Sequence, residues 1–113
     1  MNISALEQHV LLAIVAQHPD AYGVSIQDYI QLRARYEPSL GSIYAAVDRL
    51  EEKGFIKSRQ GETSPHRGGR RKLHYTVTAP GQATLQQSLR AISQLQRGIR
   101  WQEAFNTIIG AFA

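Results

Sequence analysis

The sequence contains no cysteine, and that single absence removes disulfides, thiolate metal sites and thiol nucleophiles together. It fits a reducing compartment. No apolar run approaches the roughly 20 residues that a bilayer span requires. The opening residues, MNISALEQHV, also lack the charged start, apolar stretch and small-residue cleavage site of a secretory leader. The expectation is a cytoplasmic protein with no membrane partner. A nucleophile elbow, a phosphate-binding glycine loop ending in Lys-Ser/Thr and a paired-histidine helix motif are all missing, so no enzyme, catalytic residue or cofactor is expected. His66 and His74 flank a basic cluster, but without a third ligand at a standard spacing they do not predict a metal site.

What is present is charge, unevenly placed. The chain of 113 residues carries +4, and its length suits one domain with a real core, since chains of this size hide roughly two thirds of their unfolded surface. From Lys57 to Lys72 there are six cations (Lys57, Arg59, Arg67, Arg70, Arg71, Lys72) against one acid, Glu62. That span is therefore +5 and the rest of the chain −1. Localised basicity of this kind reads as a docking surface for a polyanion, the plain alternative being a solvated loop.

The order of elements gives the patch a context. Ser4 and Glu7 spell a capping box, and Leu6, Val10 and Ile14 repeat at helical spacing, widened by Leu11 and Leu12, until Pro19 and Asp20 stop the helix. A second helix is predicted over 24–34, with Ile26, Tyr29 and Ile30 inward. A third begins after Ser39 as N-cap, buries Ile43, Val47 and Leu50, and ends at Gly54. Its outer face presents Ser42, Ala45 and Arg49, and its exposed N-terminal donors favour an anion.

Strands follow at "FIKSR" and "LHYTV", joined by the long polar connection QGETSPHRGGRRK. Thr78 caps a further helix that tolerates Pro80 in its first turn, and the chain reads as helical from there to its end. Leu85, Leu89, Ile92, Leu95 and Ile99 form a seam, and Trp101, Phe105, Ile108, Ile109 and Phe112 make a strongly apolar finish. Self-association is the expected use of these residues, apart from Trp101, against the alternative of a helix folded back on its own domain. Trp101 and Phe105 suit either a flat cavity for a planar ligand or dry interface core.

Three helices, a two-stranded hairpin and a helix give a mainly α, α+β chain: a winged helix-turn-helix over residues 1–78 and a long C-terminal dimerisation helix over 79–113. In that geometry the third helix enters the major groove of DNA and the hairpin loop lies along the backbone. Candidate DNA contacts are Ser39, Gly41, Ser42 and Tyr44, with Arg49, Arg67, Arg70, Arg71 and Lys72. Tyr44 either reaches a phosphate or packs against the wing. Arg49 either reaches nucleic acid or pairs with Asp48, Glu51 or Glu52.

The stretches "AYGVSI", "PSLGSIYAAVDRLEEKGFI" and "GGRRKLHYTVTAPGQA", which together cover most of residues 6–90, resemble the PadR-like transcriptional regulators. The short tail resembles the compact subgroup in which one C-terminal helix makes the dimer. The resemblance implies a homodimeric repressor that leaves a palindromic operator when a small aromatic or hydrophobic molecule binds. By position it puts the start of the recognition helix on Ser39, Gly41, Ser42 and Tyr44, and the wing cations on Arg70, Arg71 and Lys72. Leu40 and Ala45 depart from the family, which commonly has proline there. The competing class is a winged-helix protein-interaction module, which has no need of concentrated positive charge beside the third helix. A small-molecule sensor whose DNA role has decayed is a weaker competitor.

Overall fold

The computed structural model describes residues 2–63 and 71–112. Helix α1 (Ala5–Ala16) opens on the capping box: the Ser4 hydroxyl accepts from the Glu7 amide at 3.1 Å while the Ser4 amide donates to the Glu7 carboxylate at 2.7 Å. Helix α2 (Gly23–Ala34) starts where the Tyr22 amide donates to the Ser25 hydroxyl, and it ends on Arg35 in the left-handed region. Helix α3 (Leu40–Glu52) is followed by Gly54 at φ +80°, the turn glycine expected from the sequence.

The strands β1 (Ile56–Thr63) and β2 (Arg71–Val77) pair antiparallel, with Ile56 opposite Val77 and Arg59 opposite His74. Both reach further into the polar connection than the sequence suggests, because ladder hydrogen bonds do not need apolar side chains. The register is irregular between Gln60 and Thr63. Residue Ala21 adds a single bridge to Tyr75, whose amide donates to the Ala21 carbonyl at 2.9 Å, so the hairpin is tied to the start of α2.

Helix α4 (Ala79–Gln96) is capped by Thr78, and α5 (Trp101–Phe112) follows after Gly98 at φ +80°. The C-terminal stretch, expected to be helical throughout, is thus divided in two at a glycine. Close approach fixes the root of α4. The Thr78 hydroxyl donates to the Gly54 carbonyl at 2.6 Å, and a Cβ added at Gly81 would collide with the Phe55 carbonyl.

One core joins the helices to the hairpin: Leu11 and Ile14 of α1, Ile26 of α2, Ile43, Val47 and Leu50 of α3, then Phe55, Ile56, Tyr75 and Leu85. Each fully buried aliphatic side chain contributes about 1.5–3 kcal/mol relative to exposure. Leu85, expected at a dimer interface, is 4% exposed and spent on this core, because the Gly81 contact pulls the first turns of α4 against Phe55. Beyond it the chain leaves the body. The radius of gyration is 17.7 Å, against about 13 Å for a compact chain of this length.

Candidate nucleic-acid interface

Helix α3 is held by what lies beneath it. Ile43, Ala46, Val47 and Leu50 are buried, which turns Gly41, Ser42, Tyr44, Ala45, Asp48 and Arg49 to solvent. At the start of α3 the Ser39 hydroxyl accepts from the Ser42 amide at 3.0 Å and donates to the Ser42 hydroxyl at 2.9 Å. The cap therefore occupies Ser39 while the first turn, free of acids, stays open. A Cβ at Gly41 would meet nothing nearer than the Ser39 hydroxyl at 3.9 Å, so the glycine leaves this turn bare to an incoming surface.

Behind this helix stands Glu7. Its carboxylate is almost wholly buried and accepts from the Lys53 ammonium at 2.9 Å, with the Arg49 Nε 3.8 Å away. Burial pushes the Glu7 carboxyl upward, but the hydrogen bonds from Lys53 and Ser4 and the charge of Lys53 outweigh it and hold it below its ordinary value. Arg49 accordingly pairs across to α1, and not with Asp48, Glu51 or Glu52 on its own helix. Its side chain remains half exposed at the edge of the α3 face.

Tyr44 lies over Gly23 at the start of α2, where any Cβ would strike its ring, and remains 40% exposed. Its neighbour on the hairpin is Tyr75, whose phenol is pushed up to about 12 by burial, with Tyr44, Glu51 and Asp48 adding to the effect. Tyr44 thus bridges α2 and the root of the wing while its edge faces solvent.

On the hairpin, Lys57 and Arg59 are exposed, and the Lys72 ammonium sits 4.2 Å from the centre of the Tyr22 ring, a cation–π contact. Arg67 and Arg70, with Gly68, Gly69 and His66, lie outside the described residues. Arg71 begins β2, but its side chain lies outside them as well. Arg59, counted in the basic patch from the sequence, is tied inward: it donates to the Pro19 carbonyl at 2.8 Å and lies 3.6 Å from Asp20. Sequence reasoning missed these partners of Arg59 and missed Tyr22, because nothing in the spacing joins Arg59 to Pro19 and Asp20 or Tyr22 to Lys72.

Among the described residues no cluster of three or more metal-ligating side chains occurs, and no helix is long and apolar enough to cross a membrane.

The geometry is that of an exposed helix face with a basic hairpin beside it, and comparison with known proteins places the chain in a family. The sequence profile of the transcriptional regulator PadR-like family matches residues 11–87. The chain belongs to the PadR-like family. No curated protein matches it. Among solved structures, a transcriptional regulator from Clostridium thermocellum is 25% identical with a TM-score of 0.68, over 80% of this chain and 85% of that one. A PadR family regulator from Clostridium difficile R20291 is 24% identical with a TM-score of 0.64, over 82% and 95% respectively. Bacillus subtilis PadR, solved in complex with operator DNA, shares the fold at a TM-score of 0.64 and 22% identity, over 78% of this chain and 48% of that one.

The PadR-like chain has a second surface on its C-terminal arm. Leu89, Ile92, Leu95 and Ile99 are 37–77% exposed, and on α5 Trp101, Phe105, Ile108 and Ile109 are 53–63% exposed. The Trp101 and Phe105 rings lie 6.1 Å apart and tilted. Phe112 closes α5, its side chain outside the described residues. On the body, Leu12 and Val15 of α1 with Tyr29, Ile30 and Arg33 of α2 line an apolar groove of about 410 Å³ that the sequence did not announce.

Proposed function

We propose that this PadR-like chain is a DNA-binding homodimer that represses transcription by occupying a palindromic operator. The observation that carries the reading is the α3 face: an acid-free first turn with Gly41 and Ser42 bare to solvent, flanked by a hairpin whose span from Lys57 to Lys72 is net +5. A helix N-terminus with open backbone donors beside a run of cations suits base edges and phosphates at once. Ser42, Tyr44 and Arg49 contact the groove and its walls, and Arg67, Arg70, Arg71 and Lys72 grip the backbone.

The exposed apolar side chains of α4 and α5 support a dimer, since a surface of Leu89, Ile92, Ile99, Phe105, Ile108 and Ile109 left in water is a standing cost that a second copy removes. Two recognition helices related by that dimer address half-sites about one helical turn, roughly 34 Å, apart. The Trp101–Phe105 pair offers a planar aromatic effector a stacking surface at the dimer, and effector binding releases the operator.

Gel-shift titration against duplex from the region upstream of the gene, at several salt concentrations, tests the reading. Tight binding with a steep salt slope is expected. Weak binding without a slope overturns it. Because Trp101 is the one tryptophan, quenching of its fluorescence by planar aromatic compounds reports the effector site directly.

A further inference from the structure

The root of the wing is stapled to the turn before α2 by a cluster that the DNA contacts alone do not require. Arg59 and His74 face each other across the two strands, and both reach the Asp20 carboxylate: the Arg59 Nη2 at 3.6 Å and the His74 Nδ1 at 3.7 Å from the same oxygen. The His74 side chain is only 15% exposed, and its Nδ1 is buried with no hydrogen-bond partner among the described residues. The ring stacks on Tyr22 with centroids 6.1 Å apart, and Tyr22 in turn carries the Lys72 ammonium. The other nitrogen, Nε2, lies over Gly61, where a Cβ would come within 2.8 Å.

A buried nitrogen aimed at a carboxylate but just out of hydrogen-bond range is a poor arrangement for a purely structural residue. A neutral imidazole has one donor nitrogen and one acceptor, whereas the protonated ring donates from both. Adding a proton converts the gap between Nδ1 and Asp20 into a charge-assisted contact, which closes from 3.7 Å towards roughly 2.8 Å. Among the described residues, the groups facing the ring are Asp20 and Tyr22 from the turn before α2, Arg59 from β1 and Lys72 from β2. Arg59 and Lys72 oppose a second cation there. Among the described side chains Asp20 is the one anion that favours it, so the response is expected to depend on Asp20.

We propose that His74 is a positioning residue that seats the wing by proton uptake: when protonated it draws β2 onto Asp20, fixing the direction of the wing cations and strengthening the grip on DNA. The proposal rests on the DNA-binding reading for its effect on affinity, but not for the closure of the staple itself. Histidine is the side chain that most often serves as a proton switch, and the test therefore spans mildly acidic to mildly basic buffer. Asp20 is 75% exposed, so water weakens the pair, and the expected gain in affinity from pH 7.5 to 5.5 is about two- to five-fold.

The test is fluorescence anisotropy with a labelled duplex from the upstream region across that pH range, on wild type, His74→Gln and Asp20→Asn. The other three histidines remain in every variant, so their contribution cancels in the difference. Both substitutions are expected to remove the two- to five-fold component. A His74→Gln profile that matches wild type overturns the proposal. Asp20, on an exposed turn, keeps the test valid if His74→Gln folds poorly. Without DNA, hydrogen exchange of the Tyr75 amide, bonded to the Ala21 carbonyl beside the cluster, supplies the independent readout. Its protection factor is expected to rise in acid in wild type and in neither variant. A rise without binding to any duplex leaves the staple standing and removes the DNA reading. A protection factor indifferent to pH removes the staple, whatever the DNA does.

Discussion

Helices α3 and α5 are nearly the same length, and each carries an apolar stripe, yet they end in opposite circumstances. In α3 the stripe of Ile43, Val47 and Leu50 is at most 2% exposed. In α5 Trp101, Phe105, Ile108 and Ile109 are all more than half exposed. The first helix finds its cover in α1, α2 and the hairpin of its own chain, and so its polar face is aimed outward with a fixed orientation. The second has no such cover within the described residues, and its apolar face is the one turned out. Amphipathicity alone does not say which face will be the working surface. That depends on whether the rest of the chain reaches the apolar side.

The contrast can be broken from either end. The largest effect is expected from Leu50→Ala, which opens a cavity under α3 and costs about 2–5 kcal/mol in urea unfolding. The matching change in the arm, Ile108→Asp with Ile109→Asp, is expected to leave the body folded and to abolish the proposed association in sedimentation velocity. A variant that stayed dimeric would show that α5 is not the interface. Next, Arg70→Ala with Arg71→Ala lowers affinity for every duplex and reduces the log–log salt slope by about 1.8, measured by anisotropy titration.

A smaller effect, about 1 kcal/mol, is expected from Glu7→Gln, which loosens the tie between α1 and α3. Because the folded Glu7 carboxyl is held below its ordinary value of 4.5, its contribution is present above that pH and fades as pH falls through the folded value. Urea midpoints of wild type and Glu7→Gln should therefore differ at pH 7 and converge in strong acid. The smallest change in stability is predicted for Gly41→Ala, neutral or stabilising by up to about 1 kcal/mol, as alanine favours a helix and the site has room. Its DNA affinity should nevertheless fall, since the added methyl stands where the helix start approaches the partner.

Some of this was legible because it is local. The Ser4–Glu7 capping box, the Ser39 cap, the buried spacing of Ile43, Val47 and Leu50 and the glycine turn at Gly54 each depend on neighbours within one or two helical turns. The strand ends were not legible, because Gln60 to Thr63 pair through backbone and show no apolar alternation. Nor was the division at Gly98, where a continuous apolar seam hid a glycine with positive φ. Leu85 has the same spacing as Leu89 and Ile92, and only the contact of Gly81 with Phe55 separates a core residue from exposed ones. The partners of Arg49 and His74 come from distant parts of the chain, Glu7 and Asp20, and no spacing rule reaches them.

The order of helices and strands, the positive charge gathered around the hairpin and the membership of the PadR-like family were therefore written in the sequence, since each follows from short-range patterns that survive without coordinates. Which apolar face is covered, which cation is already committed to an internal acid and which histidine is left with an unanswered nitrogen were decided by the tertiary structure. Those properties arise only where the chain brings remote residues to within a few ångströms and excludes water between them.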